Sequence, residues 1–290
     1  MLDDLPTLTQ TVEIHRLGAN KKLGQHFLLD MNVTHNIARL ATPMDGSTVF
    51  EVGPGPGGLT RALLLNGADH VIAIEMDSRF LAPLEDIRKA SGTRLTTLND
   101  DALRVDIAKI AQDMTPKNDV KIAANLPYNV GTKLLTNWLT ATPLFWSQAV
   151  LMFQKEVAER ICATPEDNAY GRLAILTQSV CQARMAFDIP ARAFTPPPKV
   201  DSAVVVLDPL PIETRYKDLK KLGQVTEAAF GQRRKMLRRS LKTIAARHDV
   251  VTEDWLEACE IEPTRRPETL PIKDFHKLSD YLLSHPTLMT

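Results

Sequence analysis

The sequence is short of several things, and each shortage removes a class of protein. It has three cysteines, Cys162, Cys181 and Cys259. The number is odd and no two form a Cys-x-x-Cys element, so neither a disulfide scaffold nor a zinc site is expected, and no metal is implied. That usage fits a reduced compartment. There is no excess charge of either sign, because 35 Lys and Arg balance 35 Asp and Glu. Any affinity for nucleic acid has to come from a local patch. Nothing approaches the ~18 consecutive apolar residues that a membrane helix needs, so no membrane partner is expected. The opening "MLDDLPTLTQTVEIHRLG" is acidic at its start and has no apolar centre, so it does not read as a secretory signal. The expected location is cytoplasmic.

What is present is an ordinary globular composition, 44% hydrophobic and 24% charged. The 290 residues can hold one large α/β domain and a smaller partner. Strand and helix patterns alternate through the first two thirds of the chain. "STVFEVG" (47–53), "HVIAIEMD" (70–77), "RLTTLNDD", "VKIAAN" and "AVLMFQ" read as strands, with "GGLTRALLLNG" and "SRFLAPLEDIRKA" as helices between the first three. That alternation predicts a doubly wound parallel sheet. "ARMAFDIP" and "VDSAVVVLDPL" have no helix between them and are expected to pair like a hairpin at one edge. Beyond "LDPLPIE" every segment has helical apolar spacing: "DLKKLGQVTEAAF", "RKMLRRSLKTIAARH", "TEDWLEACE" and "IKDFHKLSDYLLSH". The expected organisation is an extension over 1–17, an α/β domain over 18–208 and an all-helical domain over 209–290.

The loop "EVGPGPGGLT" follows the first strand and opens a helix. Gly53, Gly55 and Gly58 satisfy GxGxxG, a pattern that by itself is weak. Pro54 and Pro56 remove backbone N–H groups that a pyrophosphate needs as donors. Glu51 adds a carboxylate that is expected to repel one. A cationic ligand without phosphates suits the loop better, and S-adenosylmethionine carries a sulfonium and an ammonium. Glu75, at the end of the second strand, is placed to accept both ribose hydroxyls. Asp101 of "NDDAL", with Asp100 beside it, is the candidate for the adenine amino group.

The motifs "LGQHFLLD", "EVGPGPGGLT", "AIEMD", "NDDAL", "NLPYN", "QKEVAERI", "YGRLAIL", "AFTPPPKVDSAVV" and "FGQRRKMLRRSL" occur in that order. Together they resemble the bacterial small-subunit rRNA (adenine-N6,N6)-dimethyltransferases, over roughly residues 18–245. The resemblance implies a Rossmann-like class I SAM-dependent methyltransferase domain with a smaller all-helical C-terminal domain that binds RNA. It also implies a substrate: two adjacent adenosines in a 3′-terminal hairpin loop of 16S rRNA, each methylated twice, in the 30S subunit or its precursor, by a monomeric enzyme. Carried over by position, the cofactor contacts are His26, Leu28, Gly53, Glu75, Asp101 and Asn125. His26 is a departure, since many members carry Asn there.

The end of the fourth strand carries the chemistry. An exocyclic adenine amine is a poor nucleophile, and attack requires its lone pair to be turned toward the methyl group. Acceptors for its N–H groups suffice without a strong base. Asn125 offers a side-chain oxygen and Leu126 a backbone carbonyl, which Pro127 holds in an extended geometry. Tyr128 can stack on the base. By resemblance, Phe194 supplies the opposite wall.

Arg233, Arg234, Lys235, Arg238, Arg239 and Lys242 crowd into "GQRRKMLRRSLK". Helical spacing predicts one cationic face, with Met236, Leu237 and Leu241 on the buried side. Phosphate contact is the natural reading, and Lys199, Lys21 and Lys22 are further candidates. Three alternatives stay open: a 23S rRNA adenine-N6 methylase, a ribosome-assembly factor that mainly binds, and a dehydrogenase on the literal GxGxxG. The last leaves "NLPY" unexplained.

Overall fold

The computed structural model describes residues 1–20, 24–114, 119–232 and 234–285. By internal contacts the chain divides into two units. One comprises Met1–Ala158 with Arg184–Asp208, the other Glu159–Ala183 with Pro209–Thr290. The 208/209 boundary coincides with one junction; the segment 159–183 groups with the C-terminal helices as well.

The first unit begins with helix α1 (Leu8–Ile14), so the N-terminal extension is structured. Strand β1 (Phe27–Leu28) and helix α2 (Met31–Leu40) follow. Strand β2 (Ser47–Val52) is buried at every position, as a central strand covered on both faces must be. It leads into α3 (Gly58–Leu65), β3 (His70–Ile74), α4 (Leu81–Ser91), β4 (Leu95–Leu98) and α5 (Ile107–Met114). Next come β5 (Asp119–Asn125), α6 (Gly131–Leu139) and β6 (Gln148–Gln154). Helices α7 (Lys155–Cys162) and α8 (Arg172–Gln178) precede β7 (Cys181–Ile189), β8 (Phe194–Thr195) and β9 (Ser202–Pro209).

Among the described residues, seven strands form one sheet in the order β4-β3-β2-β5-β6-β9-β7. The first five are parallel and β9 runs antiparallel to β6. The strands expected from the apolar runs are therefore present, and β9 and β7 form the edge pair. A second sheet was not legible: β1 pairs with β8, Phe27 opposite Thr195 and Leu28 opposite Phe194. Two-residue strands carry no periodicity to read.

At the lower end of the sheet, Lys121 is buried and donates to the carbonyls of Ala41 and Pro43, each at 2.7 Å. Burial pushes its ammonium pKa down. At the upper end, the loop 53–57 turns through three glycines with positive φ, Gly53 at 70°, Gly55 at 53° and Gly57 at 86°. Only glycine adopts that region at no steric cost.

The second unit contains α8 together with α9 (Leu219–Gly231), α10 (Leu237–Ser240), α11 (Lys242–Arg247), α12 (Thr252–Ala258) and α13 (Ile272–Ser284). Its core holds Trp255, Phe275, Leu222 and Leu278, and the buried Tyr170 donates to the Leu270 carbonyl at 3.0 Å. The proline-containing connection is tied down rather than loose. Leu210 N donates to Val180 O at 2.9 Å, and the Tyr216 ring stacks on His276 at 4.2 Å.

The expected continuous basic helix is not there. Met236 is extended (φ −64°, ψ 151°), and helix resumes only at Leu237. Leu237 N donates to Arg265 O and Arg238 N to Pro263 O, tertiary acceptors that replace carbonyls one turn back. Met236, expected inside, is 39% exposed, while Leu237 and Leu241 are buried. Among the described residues no helix is long and apolar enough to cross a membrane.

Gly57 gives a test of the loop. A Cβ there would stand 2.2 Å from Ile87 Cδ1, and its φ is +86°. The Gly57→Ala variant is expected to lose ~1–2 kcal/mol from the left-handed backbone alone, with a further loss as Ile87 is displaced. Urea unfolding beside the parent chain measures it.

Candidate functional site

Strand order reverses between β2 and β5: β3 and β4 lie beyond β2, β6 beyond β5. The loops leaving such a pair at their carboxyl ends diverge to opposite faces and leave a crevice. The residues singled out from the sequence occupy those ends. Gly53 follows β2, Glu75 follows β3, Asp101 comes after β4, and Asn125 closes β5.

A cavity of about 310 Å³ opens at this place, and Gly53, Glu75, Asp101, Asn125, Tyr128 and His26 all line it. Leu126 and Pro127 line it too. A smaller cavity of about 50 Å³ shares His26, Gly53 and Asn125 with it and adds Leu28 and Glu51. Gly53 lines both. Its amide donates to Ile74 O at 2.9 Å. A Cβ on it would lie 3.8 Å from Pro127 Cδ and 3.9 Å from the Asn125 carbonyl, so the two motifs touch at this glycine.

The carboxylates differ sharply in their surroundings. Glu75 accepts from Gly55 N at 3.1 Å and Asp77 N at 2.8 Å, which fixes both oxygens at the cavity wall. Burial raises its pKa and those amide donors oppose the rise. Asp77 is held down at about 2, mainly by the Arg79 guanidinium. Asp101 accepts from Leu103 N at 2.9 Å. Glu51 departs from expectation. It is 1% exposed, receives the Thr60 hydroxyl at 2.6 Å, and burial pushes its carboxyl up to about 8. At neutral pH it is a neutral acid, so it does not repel phosphate as a charge. The case for a phosphate-free ligand rests on Pro54, Pro56 and the acidic wall of Glu75, Asp100 and Asp101. Those residues fit S-adenosylmethionine: carboxylate acceptors for ribose hydroxyls and a surface that favours a cation.

At the end of β5, no hydrogen bond to a described residue occupies the Asn125 side chain, and it faces the cavity. The Leu126 side chain is buried, whereas Pro127 O accepts from Val130 N and Gly131 N and starts α6. Tyr128 is braced on two sides. Its hydroxyl lies 2.7 Å from Ser202 Oγ and its ring stacks on His26 at 5.8 Å and 26°. The imidazole in turn bonds the Pro196 carbonyl through Nδ1 at 2.7 Å. Phe194, expected as the second wall, is 2% exposed, belongs to the core and lines neither cavity. Its pairing with Leu28 turns it inward. Leu28 itself lines only the smaller cavity.

Gln25 and Asp77 were missed in the sequence. Gln25 Nε2 donates to Asp77 Oδ2 at 2.9 Å, Gln25 Oε1 accepts from Asn20 N at 2.8 Å, and Arg79 reaches Gly18 O at 3.0 Å. This network ties the 18–28 segment to the end of β3. The signal available was the polarity of "GQH" beside "EMDSR", which carries no spacing rule.

Lys199 is exposed in the first unit; Arg234, Lys235, Arg238, Arg239 and Lys242 are exposed in the second. The ion pairs within the second unit use other cations, Arg172, Arg265 and Lys277. Arg233, Lys21 and Lys22 lie outside the described residues.

The sequence pattern of the family described as Ribosomal RNA adenine dimethylase matches residues 16–283. The chain is 54% identical over 278 residues to the Ribosomal RNA small subunit methyltransferase A of Maricaulis maris, covering 96% of this chain and 95% of that one. It is 51% identical over 284 residues to the protein of the same name from Mesorhizobium japonicum, covering 96% and 99%. Among solved structures, a dimethyladenosine transferase from Plasmodium falciparum superposes with a TM-score of 0.74 at 27% identity, over 87% of this chain and 96% of that chain. The 23S rRNA methyltransferase ErmE shares the fold, with a TM-score of 0.61 at 23% identity over 88% and 99%.

The neutral Glu51 has a measurable consequence. The folded chain keeps a proton that an unfolded carboxyl near 4.5 has released, so this contribution is full below about pH 4.5 and lost as pH rises toward 8. Glu51→Gln keeps the shape and abolishes the titration. The variant is expected to gain on the order of 3–5 kcal/mol relative to the parent between pH 5 and 8.5. Denaturant unfolding at several pH values follows it; parallel pH curves would show that the carboxyl is ionised after all.

Proposed function

The chain belongs to the ribosomal RNA adenine dimethylase family, and from that membership we propose how its site works on the small-subunit RNA. It is an S-adenosylmethionine-dependent rRNA adenine-N6,N6-dimethyltransferase whose first unit has the class I methyltransferase fold. The small-subunit relatives favour 16S over 23S rRNA. Two adjacent adenosines of a 3′-terminal hairpin loop, in the 30S particle or its precursor, are the proposed targets of a monomeric, cytoplasmic enzyme.

The observation that carries the reading is the meeting of an acidic cavity with an unpartnered amide at one strand-order reversal. Glu75 is assigned to the ribose hydroxyls and Asp101 to the adenine amino group of the cofactor, while Gly53 admits the cofactor beside Pro127. His26 and Leu28 border the same space from the other side. S-adenosylmethionine supplies an electrophilic methyl group on its sulfonium. The protein's share is to hold and orient the amine. The Asn125 oxygen accepts one N–H and the Leu126 carbonyl the other, which turns the nitrogen lone pair toward the methyl. Tyr128, anchored through Ser202 and His26, presents a fixed face for the base. A loop adenosine is the least costly kind of base to take out of a stack.

Phe194 enters this reading as a support: its burial against Leu28 holds the 194–199 loop, whose Pro196 carbonyl receives His26. Arg234, Lys235, Arg238 and Arg239, with Lys199 in the other unit, are assigned to RNA phosphates; Arg233 joins them on sequence alone.

Two outcomes test the assignment. Asn125→Ala is expected to lower kcat for methyl transfer to immature 30S particles by about 10- to 100-fold, or ~1.4–2.7 kcal/mol, at saturating cofactor. Full activity would remove Asn125 from the mechanism. Reversing Arg234 and Arg238 to Glu is expected to weaken binding to the particle and lower the salt slope by about two. An unchanged slope would take the cluster out of the interface.

A further inference from the structure

Residues 1–15 lie outside the stretch that the family pattern matches, yet they pack on Gly58, which lines the smaller of the two cavities. Helix α1 starts at a reciprocal cap: Gln10 N donates to Thr7 Oγ1 at 3.3 Å and Thr7 N to Gln10 Oε1 at 2.9 Å. That cap sets the first helical residue, Leu8, which is 1% exposed. Leu8 rests on Gly58, the first residue of α3. A Cβ on Gly58 would stand 2.8 Å from Leu8 Cδ1 and 3.3 Å from the Leu28 carbonyl. The missing side chain is thus a notch, and Leu8 fills it. Gly58 is also a wall of the smaller cavity, beside Gly53, Leu28 and Asn125.

A second contact fixes α1 in that place. Arg61, on the same helix as Gly58, is buried, and its guanidinium donates to Pro6 O at 2.5 Å and to Thr11 Oγ1 at 3.0 Å. Pro6 precedes α1 and Thr11 lies in its middle, so one cation spans the residues on either side of Leu8. Its Nε finds no partner among the described residues, and no carboxylate there lies within ion-pair distance. A buried guanidinium so incompletely matched is a costly way to attach a terminus. At the far end of α1, His15 Nε2 meets Asp86 on α4 at 3.0 Å.

We propose that Leu8 is a positioning residue for the methyltransferase reaction: seated in the Gly58 notch and held by Arg61, it sets the first turn of α3 and with it the 53–57 loop that borders the cofactor. The inference rests on the reading of this cavity as the S-adenosylmethionine site. Packed interiors transmit a lost side chain to their neighbours, and the neighbour of this one is the cofactor wall. The partner of the N-terminal segment is therefore the first turn of α3, which the 53–57 loop leads into.

The test uses the full-length chain as the parent, Leu8→Ala, Leu8→Met and Ile14→Ala, a control on the same helix at a side chain 63% exposed. Calorimetric titration with S-adenosylmethionine and with S-adenosylhomocysteine gives affinities, and assays on immature 30S particles give kcat and KM. Leu8→Ala is expected to weaken both ligands about 5- to 20-fold and to raise the cofactor KM in step, with kcat within about twofold. Leu8→Met should restore affinity to within about twofold, and Ile14→Ala should match the parent. A Leu8→Ala chain that melts earlier but keeps its affinities and KM overturns the proposal, because Leu8 is then only structural. If Leu8→Ala does not fold, Thr11→Val removes one acceptor of Arg61 and leaves Leu8 in place. A weakening of cofactor in the same direction supports the proposal, and unchanged affinity refutes it. A parent chain that binds neither ligand refutes the cofactor reading itself, a result distinct from any difference among the variants.

Discussion

The site depends on one close approach, that of Gly53 to the end of β5. With φ at +70° and no side chain, Gly53 lets the loop after β2 come against Pro127 and the Asn125 carbonyl. Parallel strands on either side of a reversal send their connections apart, so nothing in the sheet itself brings the two loops together. Glycine at this one position does. Any other residue has to hold the left-handed conformation, with its Cβ in ordinary contact with Pro127 and the Asn125 carbonyl. The acidic wall, the amide and the tyrosine face one space because this contact closes it.

Around that contact the acids are sorted by what reaches them. Glu51 is buried with a hydroxyl partner, and burial holds its carboxyl in the neutral form. Glu75 has two backbone amides and an open side, so it remains an acceptor for a ligand. Asp77 is spent on Arg79 and Gln25, where it fixes the entry segment instead of touching the cavity from inside. Three carboxylates within a few residues of the same sheet edge thus do three different things, and burial and donors decide which.

That sorting marks the limit of what the sequence could convey. The central strands were legible because a parallel strand covered on both faces is apolar throughout, as "STVFEV" is. The placement of the candidate residues was legible because each falls at or just after a strand end: Gly53, Glu75, Asp101 and Asn125. The charge of Glu51 was not, since a carboxylate's proton depends on solvent exclusion that spacing does not encode. The split in the basic segment was hidden for a related reason. Apolar spacing through "RKMLRRSLK" asks for one helix, but Leu237 and Arg238 donate to carbonyls at 265 and 263, 28 and 25 residues downstream. Phe194 was misplaced because a two-residue strand pairing turns it inward, and no periodic signal marks such a pair.

The commitments of these groups also bear on the kind of chemistry available. A strong base at the amine would need a carboxylate or imidazole with a free lone pair beside the end of β5. Glu75 and Asp101 are held by amides and sit on the side assigned to the cofactor, and Glu51 already carries a proton. His26 Nδ1 donates to the Pro196 carbonyl, which leaves its Nε2 lone pair free, on an imidazole stacked against the Tyr128 ring. The side chain that β5 itself presents to the cavity is a neutral amide, Asn125, which can polarise an N–H but cannot remove its proton. Transfer of a methyl cation makes the nitrogen far more acidic, so the proton can leave to water afterwards without a protein base. A polarising acceptor also survives the first methylation. One N–H is then gone, one remains to be held, and the second acceptor merely lies idle. A site built on deprotonation would instead have to reposition its base for each round.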